Sequence, residues 1–151
     1  VNNEFLDKIM NLVSEIKFKR KHQDVKTLQD EVCELLAEKC ADYDWMIEYE
    51  PSEATKDRID IYGRPKTNSD YSVVIELDTH RADQVAKKFL SRLALLIDKK
   101  IIYLSLCYPG TKKMSIKECE KYFKYCSIVS KEFTKHSGIE KVYGGVILKA
   151  N

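Results

Sequence analysis

Apolar side chains recur three and four residues apart at the start of the chain. Phe5, Leu6, Ile9, Met10, Val13 and Ile16 share one helical face. A basic connector follows (Lys17–His22), and Val25, Leu28, Val32, Leu35 and Leu36 mark a second helix that runs to Cys40. The period then changes. Trp45–Glu50 alternates apolar and polar residues and ends at Pro51, which predicts a strand. Arg58–Tyr62 alternates again and stops at Gly63, and Arg64–Asp70, with Pro65 and Asn68, reads as a turn. Tyr71–Asp78 has the strongly apolar centre of a strand in the middle of a sheet.

From His80 to Ile97 the helical period returns, with Ala82, Val85, Ala86, Phe89, Leu93 and Leu96 on one face. Lys99–Cys107 reads as a buried strand stopped by Pro109-Gly110. Ser115 caps a further helix, with Glu118 at capping-box spacing, and its apolar face is Ile116, Cys119, Tyr122, Phe123, Cys126 and Val129. Lys141–Lys149 closes as a strand interrupted by Gly144-Gly145. The order is therefore α, α, β, β, β, α, β, α, β. The first two strand connections suit antiparallel hairpins, and the unit from Tyr71 to Cys107 suits a right-handed parallel crossover. These features predict an α/β fold with a mixed central sheet and helices on both faces. No repeat or long linker divides residues 1–151, so a single domain is expected.

Composition narrows the class. Hydrophobic residues make up 44% and charged residues 33%, which excludes low-complexity and wholly disordered chains. Leu93–Ile97 and Ile101–Cys107 are far too short to span a bilayer, so no membrane partner is expected. The opening Val-Asn-Asn-Glu-Phe is not a secretory leader. Five cysteines form no CxxC pair, and with three scattered histidines they give no tetrahedral zinc pattern. Reduced thiols and a cytoplasmic location are the expectation.

The net charge of +2 conceals an uneven distribution. From Thr27 to Asp60 there are eleven acidic and three basic residues, a balance of −8. From Thr111 to Lys149 there are nine basic and four acidic residues, a balance of +5. Most such charges cover solvated helix faces. Three acids stand apart, because they lie on strands. Asp60 interrupts an apolar strand whose Ile59 and Ile61 are expected on the opposite face. Glu76 and Asp78, two apart, share one face at the C-terminal end of the next strand, where open α/β sheets bind ligands. A hairpin can bring Asp60 beside Glu76. Three converging carboxylates repel one another unless a positive charge joins them, and a hard divalent cation serves. Strand-end acids exposed to water, with Glu76 paired to a cation, account for the same spacing.

Asp60, then Glu76-Leu77-Asp78 after a hydrophobic strand, then a helix carrying Gln84 and Lys87-Lys88, resembles the PD-(D/E)xK nuclease superfamily. The order α, β, β, β, α, β read from about residue 27 to 108 is similar to the restriction endonuclease-like core of that superfamily. The resemblance implies that Asp60 and Glu76 bind Mg²⁺ (or Mn²⁺), with the Leu77 carbonyl as a further ligand. It implies that Glu31, ahead of Leu35-Leu36 on the first core helix, faces the site, with Glu48 on the first strand a further neighbour. Two departures are visible. Ile59 stands where the family has Pro, and Asp78 stands where it has its catalytic Lys. Three consequences are open: an inactive fold, a metal held through Asp78, or a Lys supplied from elsewhere. Lys88 is the better candidate for that Lys and Lys87 the second, with Gln84 four residues before Lys88 on the same helix side.

The resulting expectation is a nuclease that hydrolyses phosphodiester bonds, with DNA the expected substrate. His80 and Arg81, opening the helix beyond Asp78, and Lys112 and Lys113 are candidate phosphate contacts, with Lys117, Lys121 and Lys124 beyond them. Symmetric cutting of a duplex needs two sites, so a homodimer is expected. The alternative is a catalytically inactive module on the same fold, binding nucleic acid or a protein partner.

Overall fold

The computed structural model describes residues 3–17, 24–67, 71–108 and 114–149. The first two apolar patterns form α1 (Asn3–Ser14) and α2 (Val25–Lys39). Asp24 caps α2 by accepting a hydrogen bond from the Thr27 N–H at 2.8 Å. Three strands follow: β1 (Tyr43–Tyr49), β2 (Ile59–Pro65) and β3 (Ser72–Asp78). Then come α3 (Asp83–Leu95), β4 (Ile101–Cys107), α4 (Ile116–Ser137) and β5 (Lys141–Ile147). Ser115 caps α4 by accepting from the Glu118 N–H at 3.1 Å. The helix ends at Gly138, whose φ of +75° is the left-handed conformation that glycine adopts without strain.

The five strands lie in chain order across one sheet. β1–β2 and β2–β3 pair antiparallel; β3–β4 and β4–β5 pair parallel. The chain is thus α/β, with a mixed sheet flanked by helices, as the element order predicts. Every residue of β3 and β4 is buried, the condition of strands covered on both faces. One apolar layer unites α1 and α2 with Val73, Ile75, Leu77, Leu104 and Leu106. The other unites α3 and α4 with Ile59, Tyr62, Val74 and Tyr103. Among the described residues, no helix is long and apolar enough to cross a membrane.

Several expected boundaries move by a few residues, and three of the differences have a physical reason. β2 does not stop at Gly63 but continues through Pro65, because the Trp45 ring packs over Gly63, where a Cβ would lie 2.6 Å from it. α3 begins at Asp83 rather than His80, after a bend. β5 is unbroken: Gly144 and Gly145 pair with Leu104 and Ser105. These glycines make room for neighbours instead of ending the strand. A Cβ at Gly144 would meet Met10 Sδ at 2.7 Å, and one at Gly145 would meet the Phe123 ring at 2.4 Å.

Lys141, at the head of β5, is buried under the end of α3. Its ammonium donates to the carbonyls of Leu96 at 2.9 Å, Ile97 at 3.1 Å, and Lys99. These are orphan acceptors at a helix C-terminus. Burial pushes its pKa down to about 8.

Candidate functional site

The β2–β3 ladder runs from Gly63 opposite Val73 to Ile61 opposite Ile75, and there it stops. Asp60 and Glu76 would form the next pair. Side chains replace the ladder instead. Asp60 Oδ2 accepts from the Leu77 N–H at 2.8 Å, and the Asp60 N–H donates to Glu76 Oε2 at 3.3 Å. The β1–β2 register also skips Glu48, whose φ is +51°. This break reverses the facing of β2. Ile59 enters the layer beneath α3 while Ile61 enters the layer beneath α2, so the two isoleucines do not share a face as the alternation predicts. Asp60 sits at the resulting fork, turned toward Leu77.

α3 lies over this fork and runs back along β3. Lys88 Nζ stands 2.9 Å from Asp78 Oδ1, and one helical turn later an Arg92 guanidinium nitrogen stands 3.1 Å from Glu76 Oε1. Two residues of strand rise about 6.6 Å and four residues of helix about 6 Å. The acid pair and the cation pair therefore match as two rungs. Arg92 also donates to the Arg58 carbonyl at 2.7 Å, tying the rung to the start of β2.

Lys88 Nζ occupies a cage of oxygens. Besides Asp78 it lies 2.8 Å from the Leu77 carbonyl and 3.5 Å from Asp60 Oδ2. From the other side of the sheet, buried Gln29 on α2 donates its amide to Asp60 Oδ1 at 3.2 Å. Burial raises the pKa of Glu76 to about 7, with Asp60 adding to the shift and Arg92 only partly opposing it. Burial likewise raises the Asp78 pKa, against the lowering pull of Lys88. For Lys88, burial acts downward, but Asp78, Asp60 and Glu76 together lift it above the usual lysine range. Three carboxylates thus face two cations. Asp78 Oδ2 is buried and, among the described residues, has no hydrogen-bond partner.

The structure brings Asp60, Leu77, Asp78 and Lys88 together. It does not bring the three carboxylates to one point. Glu76 is fully buried and turned to Arg92, and among the described residues no group of three or more Asp, Glu, His or Cys side chains is placed to share a metal ion. The expected convergence fails because each acid has found its own donor. Glu31 is exposed on α2, and Gln29, two residues earlier, takes the place at the site expected for it. Glu48 is exposed and pairs with Arg58 at 3.6 Å. Gln84, one turn before Lys88, is half-buried, and Lys87 points to solvent. His80 is exposed, and Arg81 holds Asp83 through two nitrogens. Lys117 and Lys124 are exposed on α4, and Lys121 pairs with Glu118. Lys112 and Lys113 lie outside the described residues, as does most of the basic connector ending at His22.

Sequence reasoning missed Gln29 and Arg92. Both left a signal. Gln29 is a polar residue at a core position of α2, between Leu28 and Val32. Arg92 continues the four-residue row Gln84–Lys88, opposite acids spaced two apart on β3.

The donor set suits a hard divalent cation. Asp60, the Asp78 carboxylate and the Leu77 carbonyl are all oxygen ligands, the class preferred by Mg²⁺ and Mn²⁺. The Asp78 oxygen that has no partner among the described residues fits the same purpose. Lys88 Nζ lies within that donor set. No protein-family model matches the chain, and no curated protein sequence matches it.

Proposed function

We propose that this protein is a metal-dependent nuclease that hydrolyses phosphodiester bonds in DNA, built on a restriction endonuclease-like core from α2 to β4. The observation that carries the reading is the oxygen cage of Asp60, Leu77 and Asp78 around an ammonium at the C-terminal end of β3, with one more carboxylate than cation nearby. The order of elements from α2 to β4 supports the same reading. Asp60, Asp78 and the Leu77 carbonyl would hold Mg²⁺ or Mn²⁺. Such an ion polarises the phosphodiester, acidifies a bound water and stabilises the leaving oxygen.

The remaining residues act around that centre. Gln29 and the Leu77 N–H fix both Asp60 oxygens, so the carboxylate presents one orientation. Glu76 and Arg92 tie β2 to β3 at the fork, a structural part in place of direct ligation. Lys88, once displaced from the cage, carries its charge toward the phosphate, with Gln84 on the same row beside it and exposed Lys87 within reach of the backbone. Basic residues of the later segment add nonspecific phosphate attraction.

A second reading has its own observation. Lys88 already supplies a positive charge 2.8–3.5 Å from three oxygens. If it stays there, the fold is an inactive module that binds nucleic acid or a protein. Supercoiled plasmid incubated with Mg²⁺ or Mn²⁺ separates the two. Nicking or linearisation that is lost in Asp60→Ala and Asp78→Ala supports the nuclease. Intact plasmid with every protein, or equal cutting by the variants, overturns it.

A further inference from the structure

The outward side of α4 carries a row that neither the core nor the site uses. The helix turns Cys119, Cys126 and Ser130 inward. Opposite them, at spacings of three, four, three, four and three, stand Glu118, Lys121, Tyr125, Ile128, Glu132 and Lys135. Alternating threes and fours make a seam that can face a second helix along its length. Tyr125 is 50% exposed, Ile128 51% and the adjacent Val129 49%, large apolar surface left in water at the centre of the helix. Ile128, Val129 and Phe133 line a shallow groove there, closed at one side by Glu132 and His136.

The charges on this row have an order. Read forward it is acid, base, two apolar, acid, base. Turned end for end and laid on itself, every position meets its complement. Glu118 falls opposite the partner's Lys135, Lys121 opposite the partner's Glu132, and Tyr125 opposite the partner's Ile128. One two-fold axis midway between Tyr125 and Ile128 satisfies all of these pairs together, as an isologous interface requires. A parallel arrangement would place Glu118 on Glu118 and Lys121 on Lys121, which like-charge repulsion disfavours. We propose that α4 is a self-association surface, packing antiparallel against α4 of a second copy of this chain. The apolar centre supplies the burial, and the flanking charges fix direction and register. This inference does not rest on the nuclease reading.

Charge reversal tests the register directly. In sedimentation equilibrium of the full chain, the protein forms a concentration-dependent dimer. Lys121→Glu and Glu132→Lys each associate roughly tenfold more weakly, about 1.4 kcal/mol. An equimolar mixture of the two variants recovers the tight association, because each reversed charge meets its complement on the other chain. Ile128→Asp, on an exposed position, removes the dimer, while circular dichroism shows the fold unchanged. A monomer throughout the micromolar to millimolar range overturns the proposal. So does a dimer indifferent to these changes, or a mixture no tighter than either variant alone.

Discussion

Gln29 and Asp60 lie 31 residues apart in sequence and meet at 3.2 Å, amide to carboxylate, where α2 crosses the fork between β2 and β3. A buried donor is thereby used to orient one acid and not to satisfy its own helix. Gln29→Leu keeps the bulk and removes the donor. The expected cost is about 1 kcal/mol in urea unfolding. On the proposed nuclease reading, plasmid cleavage is expected to fall by at least roughly tenfold in kcat with KM little changed, because Asp60 is freer to turn away from the reacting geometry. A loss confined to KM would place Gln29 in substrate binding instead.

Lys88 neutralises the cage and, if the cage is a metal site as proposed, also obstructs it. Lys88→Met retains the stem and removes the charge. Asp78, whose side chain is only 5% exposed, is then left without its cation. Unfolding free energy drops by about 2 kcal/mol, less than for a fully buried pair because Lys88 is 24% exposed. Calorimetry is expected to show tighter Mn²⁺ binding by the same variant, while cutting is lost. Unchanged Mn²⁺ affinity would mean that the ammonium and the metal do not compete for the same oxygens.

Glu76 gives stability a pH dependence of known sign. Its pKa rises from 4.5 in the open chain to about 7 in the fold, so the folded state binds the proton more tightly. The contribution of Glu76 is full below about pH 4.5 and declines as pH rises to about 7. The span corresponds to roughly 3 kcal/mol. Urea unfolding from pH 5 to pH 8, compared with Glu76→Gln, should show the wild type losing its advantage as pH rises. A carboxyl titration by NMR with its midpoint near 4.5 would contradict this.

Gly145→Ala places a methyl group 2.4 Å from Cγ and Cδ2 of the Phe123 ring, which α4 holds against β5. The ring has no flexible end with which to yield. Overpacking of this kind costs about 1–3 kcal/mol. Gly138→Ala meets no atom but is forced to a φ of +75°, and about 1 kcal/mol is expected there. Thermal unfolding of the two variants separates crowding from backbone strain.

Much of the fold was legible because its signals are local. The cap at Ser115, the alternation of β1 and β2, and the unbroken apolar runs of β3 and β4 each report their own element. Gly144-Gly145 misled for the same reason: the demand on them comes from Met10 and Phe123, far away in sequence. At the site, Asp60 and Asp78 could be chosen from strand position, and Lys88 from the family resemblance. The turn of Glu76 toward Arg92 could not, since it depends on a break in the β2 ladder that no local pattern marks. Gln29 was passed over for an acid because a buried amide looks like an accident until its partner is known.

β5 has a bearing on how the chain acquires its structure. β4 sits between β3 and β5, buried on both faces, and Lys141 plugs the open end of α3. A ribosome-bound chain that has reached only the end of α4 therefore exposes one whole edge of its most hydrophobic strand and a helix end with unsatisfied carbonyls. The sheet closes only when residues 141–148 have emerged. Until β5 pairs, that edge of β4 is a template for any passing strand.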